Sequence, residues 1–388
     1  MRAIAFHKAL LGREEERSVI KTLRSGWLTR GTKTEEFEKR FACFIGSPYA
    51  IGLNSCTAGL HLALLALGIG HDDEVITSPL TFAATANVIL HTGASLRFAD
   101  VDYQTGNINL DEIARKVTRK TRALLVVHLA GHPCNMKAIL QFCRERRIYL
   151  IEDAAHALGA SYKGKNIGTW GKVASFSFYA TKNITTGEGG MVTTHDKHIA
   201  EKIKVLSLHG LSSDAWKRYY SAENGYYSVM AAGYKYNMFD IQAAIGVEQL
   251  KKIKSFMAQR KKIWNHYDRR LSRIAGIEIP SISPDVVHAR HLYMVKIDVN
   301  RLTAGRDQII QKLRRCGIHA QVHFISLHLH PFYRRLFGFR KKDFPIAYQL
   351  SQSLLSLPLY PQLNATDVDY ICDCLIDIIK KTRKKTVK

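Results

Sequence analysis

Short apolar runs of strand length, separated by segments of helical period, most limit what this chain can fold into. Residues 74–77, 123–128, 148–151 and 173–178 read as strands, and 135–147 is a helical stretch between two of them. Strands that are apolar throughout need cover on both faces. Intervening helices supply it, so the pattern predicts an α/β fold with a mostly parallel sheet. Upstream, Val19, Ile20 and Leu23 sit at helical spacing, as do Phe37, Phe41 and Phe44, with a glycine-bounded loop over 25–31 between them. From about Phe239 a long helical pattern runs through Ile241, Ala244, Ile245, Val247 and Leu250 and leads out of this unit. The rest holds a strand near 292–297 and a last helix from about Thr366, with Thr366 and Asp369 as a capping box. The expected division is a large domain over 1–250 and a smaller α+β domain over 251–388.

The 388 residues include 57 Lys+Arg and 33 Asp+Glu, a net charge of +24. Six of the last nine residues are basic, and triplets stand at 260–262 and 340–342. Such a field favours anionic partners without saying which, and a solvated basic surface accounts for it equally. No apolar run reaches about 18 residues, so no membrane-spanning helix is expected. The N-terminus lacks an apolar signal core and the seven cysteines show no metal-finger spacing. A cytoplasmic protein with reduced thiols, and without a metal, is expected.

Three segments carry chemistry. Asn54-Ser55-Cys56-Thr57-Ala58 opens into an Ala/Leu-rich helix. Free amides at such a start suit a phosphate, although ordinary N-capping explains the same residues. At 151–156 an apolar strand delivers Glu152 and Asp153 at its C-terminal end, followed by His156. Ligands of open α/β sheets bind outside those ends, while a surface acid is the plainer reading. At 174–190 an aromatic strand with Ser177 runs into a lone Lys182 and a glycine-rich turn. Burial would lower the pKa of that amine and make it nucleophilic; an exposed loop lysine is the alternative. Together the segments offer a phosphate cradle, a carboxylate for a cationic ring nitrogen and an amine for an aldehyde. Those are the needs of pyridoxal 5′-phosphate.

The motifs 25–29, 55–58, 73–76, 152–156, the Lys182 segment and 233–238 occur in order over nearly the whole chain. On them the sequence resembles the DegT/DnrJ/EryC1/StrS nucleotide-sugar aminotransferases, of the aspartate-aminotransferase fold (pyridoxal-phosphate-dependent transferase fold type I). The resemblance implies that Lys182 is the catalytic lysine joined to the cofactor and that Asp153 partners the pyridine nitrogen. His156 would lie beside the phenolic oxygen, where many relatives have Gln, and Phe82 would stack on the ring. Ser177, Cys56 and Thr57 match the phosphate site; Cys56 replaces a common Gly. Asn237 would reach the phosphate of the neighbouring subunit, which implies a homodimer.

The implied reaction moves an amino group from L-glutamate, leaving 2-oxoglutarate, to a nucleotide-linked keto-sugar. The segments 208–216 and 233–237 look like the branch that aminates C4 of UDP-4-keto sugars, feeding lipopolysaccharide, capsule or a protein glycan. Trp27, Lys235, His323 and His328 are the substrate-side candidates, each with ordinary packing or surface placement as the alternative. Relatives that act as dehydratases lack the lysine, which Lys182 argues against. Amination of a dTDP- or GDP-linked sugar or of a cyclitol ketone is an alternative. So is a basic binder of nucleic acid or membrane surfaces that kept the fold; no specific nucleic-acid motif is found.

Overall fold

The computed structural model describes residues 3–212 and 228–384. Residues 213–216 of the 208–216 segment and the last four residues of the basic tail lie outside the described residues.

The large sheet contains β1 (Tyr49–Leu53), β2 (Glu74–Thr77), β3 (Ser95–Phe98), β4 (Thr121–Val127) and β5 (Tyr149–Asp153). A small hairpin, β6 (Ser161–Tyr162) and β7 (Lys165–Asn166), precedes its last members, β8 (Val173–Ser177) and β9 (Gly190–Thr194). The order is β1-β9-β8-β5-β4-β2-β3, and β9 alone among these seven runs against its neighbours. The four predicted strands of this sheet are all present.

Alternation along β4 shows why the strands read as continuously apolar. Ala123 and Leu125 join one core layer, with helices Cys56–Ala66, Ala83–His91 and Lys197–Ser207. Leu124 and Val126 join the other, with helices Thr32–Ile45, Met136–Glu145 and Asp240–Leu271. Successive side chains of a strand point to opposite faces, so two helical layers require two apolar sets. Phe37 and Phe41 are buried in the second layer as expected, whereas Phe44 is half-buried.

The helix Asp240–Leu271 is unbroken through 250 and 251. Its first part, to Phe256, packs in the second layer of the large unit. Ile263, Trp264, Tyr267 and Leu271 pack instead on a three-stranded antiparallel sheet. After β11 (Val286–Val287), which joins the small hairpin, come β12 (Tyr293–Ile297) and β13 (Leu354–Leu357). With β10 (Ile277–Glu278) they form the order β10-β12-β13. Ile4 belongs to this core, while Leu327, Tyr333, Phe344 and Leu350 return to the first layer of the large unit.

The last helix, Ala365–Thr382, is capped by Asn364, whose side chain accepts the Asp367 amide at 2.8 Å. This corrects the Thr366–Asp369 capping box: Asp369 instead pairs with His266 and Arg270 of the long helix. Among the described residues, no helix is long and apolar enough to cross a membrane.

The layer over β8 is very close. A Cβ on Gly59 would lie 2.2 Å from Ser175 Oγ and 2.8 Å from Val192 Cγ2. We expect Gly59→Val to destabilise the protein by about 1–3 kcal/mol, through overpacking that pushes the helix off the sheet. Denaturant unfolding measures it, and unchanged stability would contradict the packing described here.

Candidate active site

A cleft of about 580 Å³ opens at the C-terminal ends of β5 and β8, a size suited to a small ligand. The sheet delivers side chains to it because each parallel strand ends on the same edge. Asp153 is the last residue of β5 and Ser177 the last of β8. Lys182 follows on a turn closed by its own amide on the Tyr179 carbonyl at 2.9 Å.

Asp153 is only 5% exposed. Its carboxylate accepts the Thr85 hydroxyl at 2.8 Å and the Ala155 amide at 3.1 Å, and faces the Cys56 thiol at 4.0 Å. Burial raises its pKa, opposed by those donors and by Lys182 nearby. Among the described residues no cationic side chain forms an ion pair with it. A buried carboxylate with hydrogen bonds but no paired cation suits a protonated ring nitrogen.

Lys182 keeps some exposure to the cleft it lines. Burial nevertheless lowers its pKa to about 8, against the attraction of Cys56 and Asp153. A nucleophilic amine is thereby available near neutral pH.

The helix Cys56–Ala66 starts at the cleft. Ser55 is its cap, accepting the Ala58 amide at 3.0 Å, so the amides of Cys56 and Thr57 lie in the first turn without helical acceptors. A Cβ on Gly190 would stand 2.3 Å from the Ser55 carbonyl carbon, which shows how closely β9 approaches this turn. Cys56 and Ser175 exchange two bonds: the thiol donates to the Ser175 carbonyl at 3.4 Å and the Ser175 hydroxyl to the Cys56 carbonyl at 3.0 Å. Burial pushes the Cys56 thiol far up, so it serves as packing rather than as a nucleophile. The helix start, with Ser177 also on the cleft wall, suits a phosphate. Phe82, 64% exposed, caps the helix that carries Thr85, its ring 6.2 Å from that of Phe324. An apolar face left open there fits a flat ring. The donor set therefore fits pyridoxal phosphate.

His156 Nδ1 accepts the Ala130 amide at 3.3 Å, so the neutral ring carries its proton on Nε2. Burial and the neighbouring Lys182 and His323 hold its pKa well below the ordinary value. His323 lines the same cleft; its Nδ1 lies 2.9 Å from the Ser356 hydroxyl, and burial brings its pKa to about 4.

Four predicted residues are not brought to this cleft by the single chain. His328 is buried in the first core layer, Nδ1 2.8 Å from the Ser326 hydroxyl and its ring against Phe344 at 5.0 Å. This corrects its place among the substrate-side candidates: the turn Leu327–Leu329 tucks it inward, with the Leu327 amide on the Pro79 carbonyl. Trp27 is half-buried and donates Nε1 to the Arg30 carbonyl at 3.1 Å. Lys235 is exposed. Asn237 is buried beside the end of β1; its Nδ2 meets the Met238 carbonyl at 3.2 Å and its Oδ1 has no hydrogen-bond partner among the described residues.

Thr85, His291, Phe6 and Phe324 line the cleft without having been expected there. Thr85 had a signal, lying three residues after Phe82 and so one helical turn along. The others come from distant segments, and no local spacing points to them.

A family model described as the DegT/DnrJ/EryC1/StrS aminotransferase family matches residues 10–376. The chain is 47% identical over 372 residues to the spore coat polysaccharide biosynthesis protein SpsC of Bacillus subtilis, covering 96% of each. Spr1654 of Streptococcus pneumoniae, described as a sugar aminotransferase, is 33% identical. Its PMP form superimposes with a TM-score of 0.92 over 97% of this chain and 99% of that one, and its PLP form with 0.91. Helicobacter pylori PseC, an aminotransferase involved in the biosynthesis of pseudoaminic acid, is 28% identical, with a TM-score of 0.91 over 98% of this chain and all of that one. Sequence, fold and cleft chemistry agree: the chain belongs to the DegT/DnrJ/EryC1/StrS aminotransferase family, as a pyridoxal-phosphate-dependent enzyme of fold type I.

Proposed function

We propose that this protein is a sugar aminotransferase that moves an amino group from L-glutamate to a nucleotide-linked keto-sugar, at C4 of a UDP-4-keto sugar. Its place is the biosynthesis of an amino-sugar glycan, in the cytoplasm. The observation that carries the reading is Lys182, half-buried in a cleft it shares with Asp153 and His156. The names of the relatives, one in spore coat polysaccharide and one in pseudoaminic acid biosynthesis, support a sugar acceptor.

Each residue has a role. The Cys56 and Thr57 amides and the Ser177 hydroxyl would take the phosphate, Asp153 would hold the proton on the ring nitrogen, and Phe82 would cover the ring. When bound, pyridoxal phosphate supplies an aldehyde for amines and a ring that draws electrons from the bonds beside the nitrogen. His156 offers its Nε2 hydrogen to an oxygen at the cleft wall. Lys182 would take the proton from the donor's α-carbon and return one on the acceptor side, as general base and acid. Asn237 acts toward the phosphate site of a partner subunit, which makes the enzyme a homodimer, and Trp27 and Lys235 act on the substrate side. His323 faces the substrate. The large domain passes into the small one inside the long helix, between Phe256 and Ile263.

The visible spectrum of the protein with pyridoxal phosphate tests the reading first. We expect a yellow band that bleaches with L-glutamate and returns with a UDP-4-keto sugar. A protein that takes up no cofactor would overturn it. Lys182→Ala should abolish turnover while still holding the cofactor without a covalent link; multiple turnover by that variant contradicts the role of Lys182. Asp153→Asn should lower kcat by roughly 10³-fold, about 4 kcal/mol of barrier; a near-normal rate would place the nitrogen's partner elsewhere.

The amine pKa gives a further test. In cofactor-free protein, the rate at which an amine reagent labels Lys182 should rise with pH through about 8. Exposed lysines rise through about 10.4. Labelling followed by mass spectrometry at each site distinguishes them, and a Lys182 profile matching the surface lysines contradicts its desolvation.

A further inference from the structure

Three imidazoles line the cleft with Lys182, and one of them, His291, belongs to no motif of the sequence. It is 4% exposed, just before β12, and lines the cleft. We infer that His291 is a positioning residue that holds Asn183, the residue following Lys182, and so sets how Lys182 faces the bound cofactor. This rests on the cofactor reading of the cleft given above.

The hydrogen bonds determine what each group presents. Asn183, directly after Lys182, donates its Nδ2 to the Ala289 carbonyl at 2.9 Å and to the Leu158 carbonyl at 3.3 Å. With the amide nitrogen between two acceptors, Asn183 Oδ1 is the atom that faces His291 Nδ1, at 3.2 Å. An amide oxygen only accepts, so His291 Nδ1 carries the hydrogen and its Nε2 is a lone pair. His156 has the opposite tautomer, with its proton on Nε2.

The two rings are also tied through one backbone unit. Ala130 donates its amide to His156 Nδ1, and its carbonyl accepts the His291 amide at 3.1 Å. Ala130 stands in the left-handed region, at φ 56°, a conformation costly for a residue with a Cβ and held here from both sides. The rings themselves lie 4.5 Å apart between centroids, tilted by 39°. The groups whose charge bears on His291 are His156, Lys182, Arg260 and His323, and Arg260 Nη1 also donates to the His291 carbonyl at 3.3 Å. Burial foremost, and then these groups, keep His291 neutral. The neutral His291 ring is therefore held by a bond from its Nδ1–H to the residue next to the lysine.

Two substitutions separate this role from bulk packing. His291→Asn sets an amide N–H where Nδ1 was and keeps the bond to Asn183. His291→Gln sets its amide where Nε2 was and leaves Asn183 Oδ1 without a donor. We expect H291Q to weaken pyridoxal phosphate binding by about tenfold or more and to shift the pH midpoint of the visible band. Its kcat should fall by about 10–100-fold, the size seen when a supporting hydrogen bond is lost, with little change in donor KM. H291N should stay within about threefold of the wild type, because the supporting bond survives. Equal losses in both variants, or an H291Q protein with wild-type affinity, midpoint and kcat, overturn the inference. Should H291Q not fold, Asn183→Ser replaces it: a shifted midpoint supports the role and a wild-type midpoint overturns it. A wild-type protein that takes up no pyridoxal phosphate fails the parent reading instead, so the two failures are distinct.

Discussion

A carboxylate buried without a paired cation, Asp153 at the end of β5, is the constraint around which this site is arranged. Leaving such a group inside a protein is costly unless hydrogen bonds and a positive charge compensate. The chain supplies the hydrogen bonds, from Thr85 and Ala155. In the proposed reading the charge comes from the cofactor's ring nitrogen. Lys182 is the nearby cation, and burial lowers its pKa, which suits an amine that must bond and release.

The neighbouring acid shows how the same burial serves a different end. Glu152 is fully buried one residue earlier on the strand, so it points to the opposite face. Its oxygens accept the amides of Gly168, Trp170 and Gly171 and lie 3.3 Å from His128 Nε2. That carboxylate holds the loop leading into β8, the strand that carries Ser177 and leads to Lys182. One acid of the pair is structural and the next faces the cleft, and the pleat of a single strand separates their roles.

A third buried acid fixes the entrance of the long helix. Asp240 accepts the amides of Gly31, Lys33 and Thr34 and the Thr34 hydroxyl, at 2.7–3.0 Å. These bonds join the start of the helix Asp240–Leu271 to the start of the helix Thr32–Ile45. The long helix then carries that order into the core of the small sheet through Trp264 and Tyr267. Its Arg260 donates to the carbonyls of Arg290, His291 and Leu359, so cleft residues of the later chain are held to the same rod.

Much of this was legible in the sequence, because local chemistry sets it. Apolar strand runs fixed the sheet; a Ser before an Ala/Leu-rich stretch fixed the helix start; an acid and a lysine at strand ends fixed two sides of the cleft. Residue order could not assign Glu152 and Asp153 their separate faces without the register of β5. Nor could it tell that His323 lines the cleft while His328, five residues on, is packed away. That difference follows from the turn at Leu327–Leu329 and its bond to Pro79. His291 was invisible for the same reason: it meets Lys182 only because the chain returns through the long helix. The sequence by itself thus determined four of the seven strands of the large sheet, several of the helices around it and the chemical types at the strand ends. Tertiary structure alone decided which groups share the cleft and in which tautomer, because hydrogen bonds between distant segments and burial are properties of the folded chain.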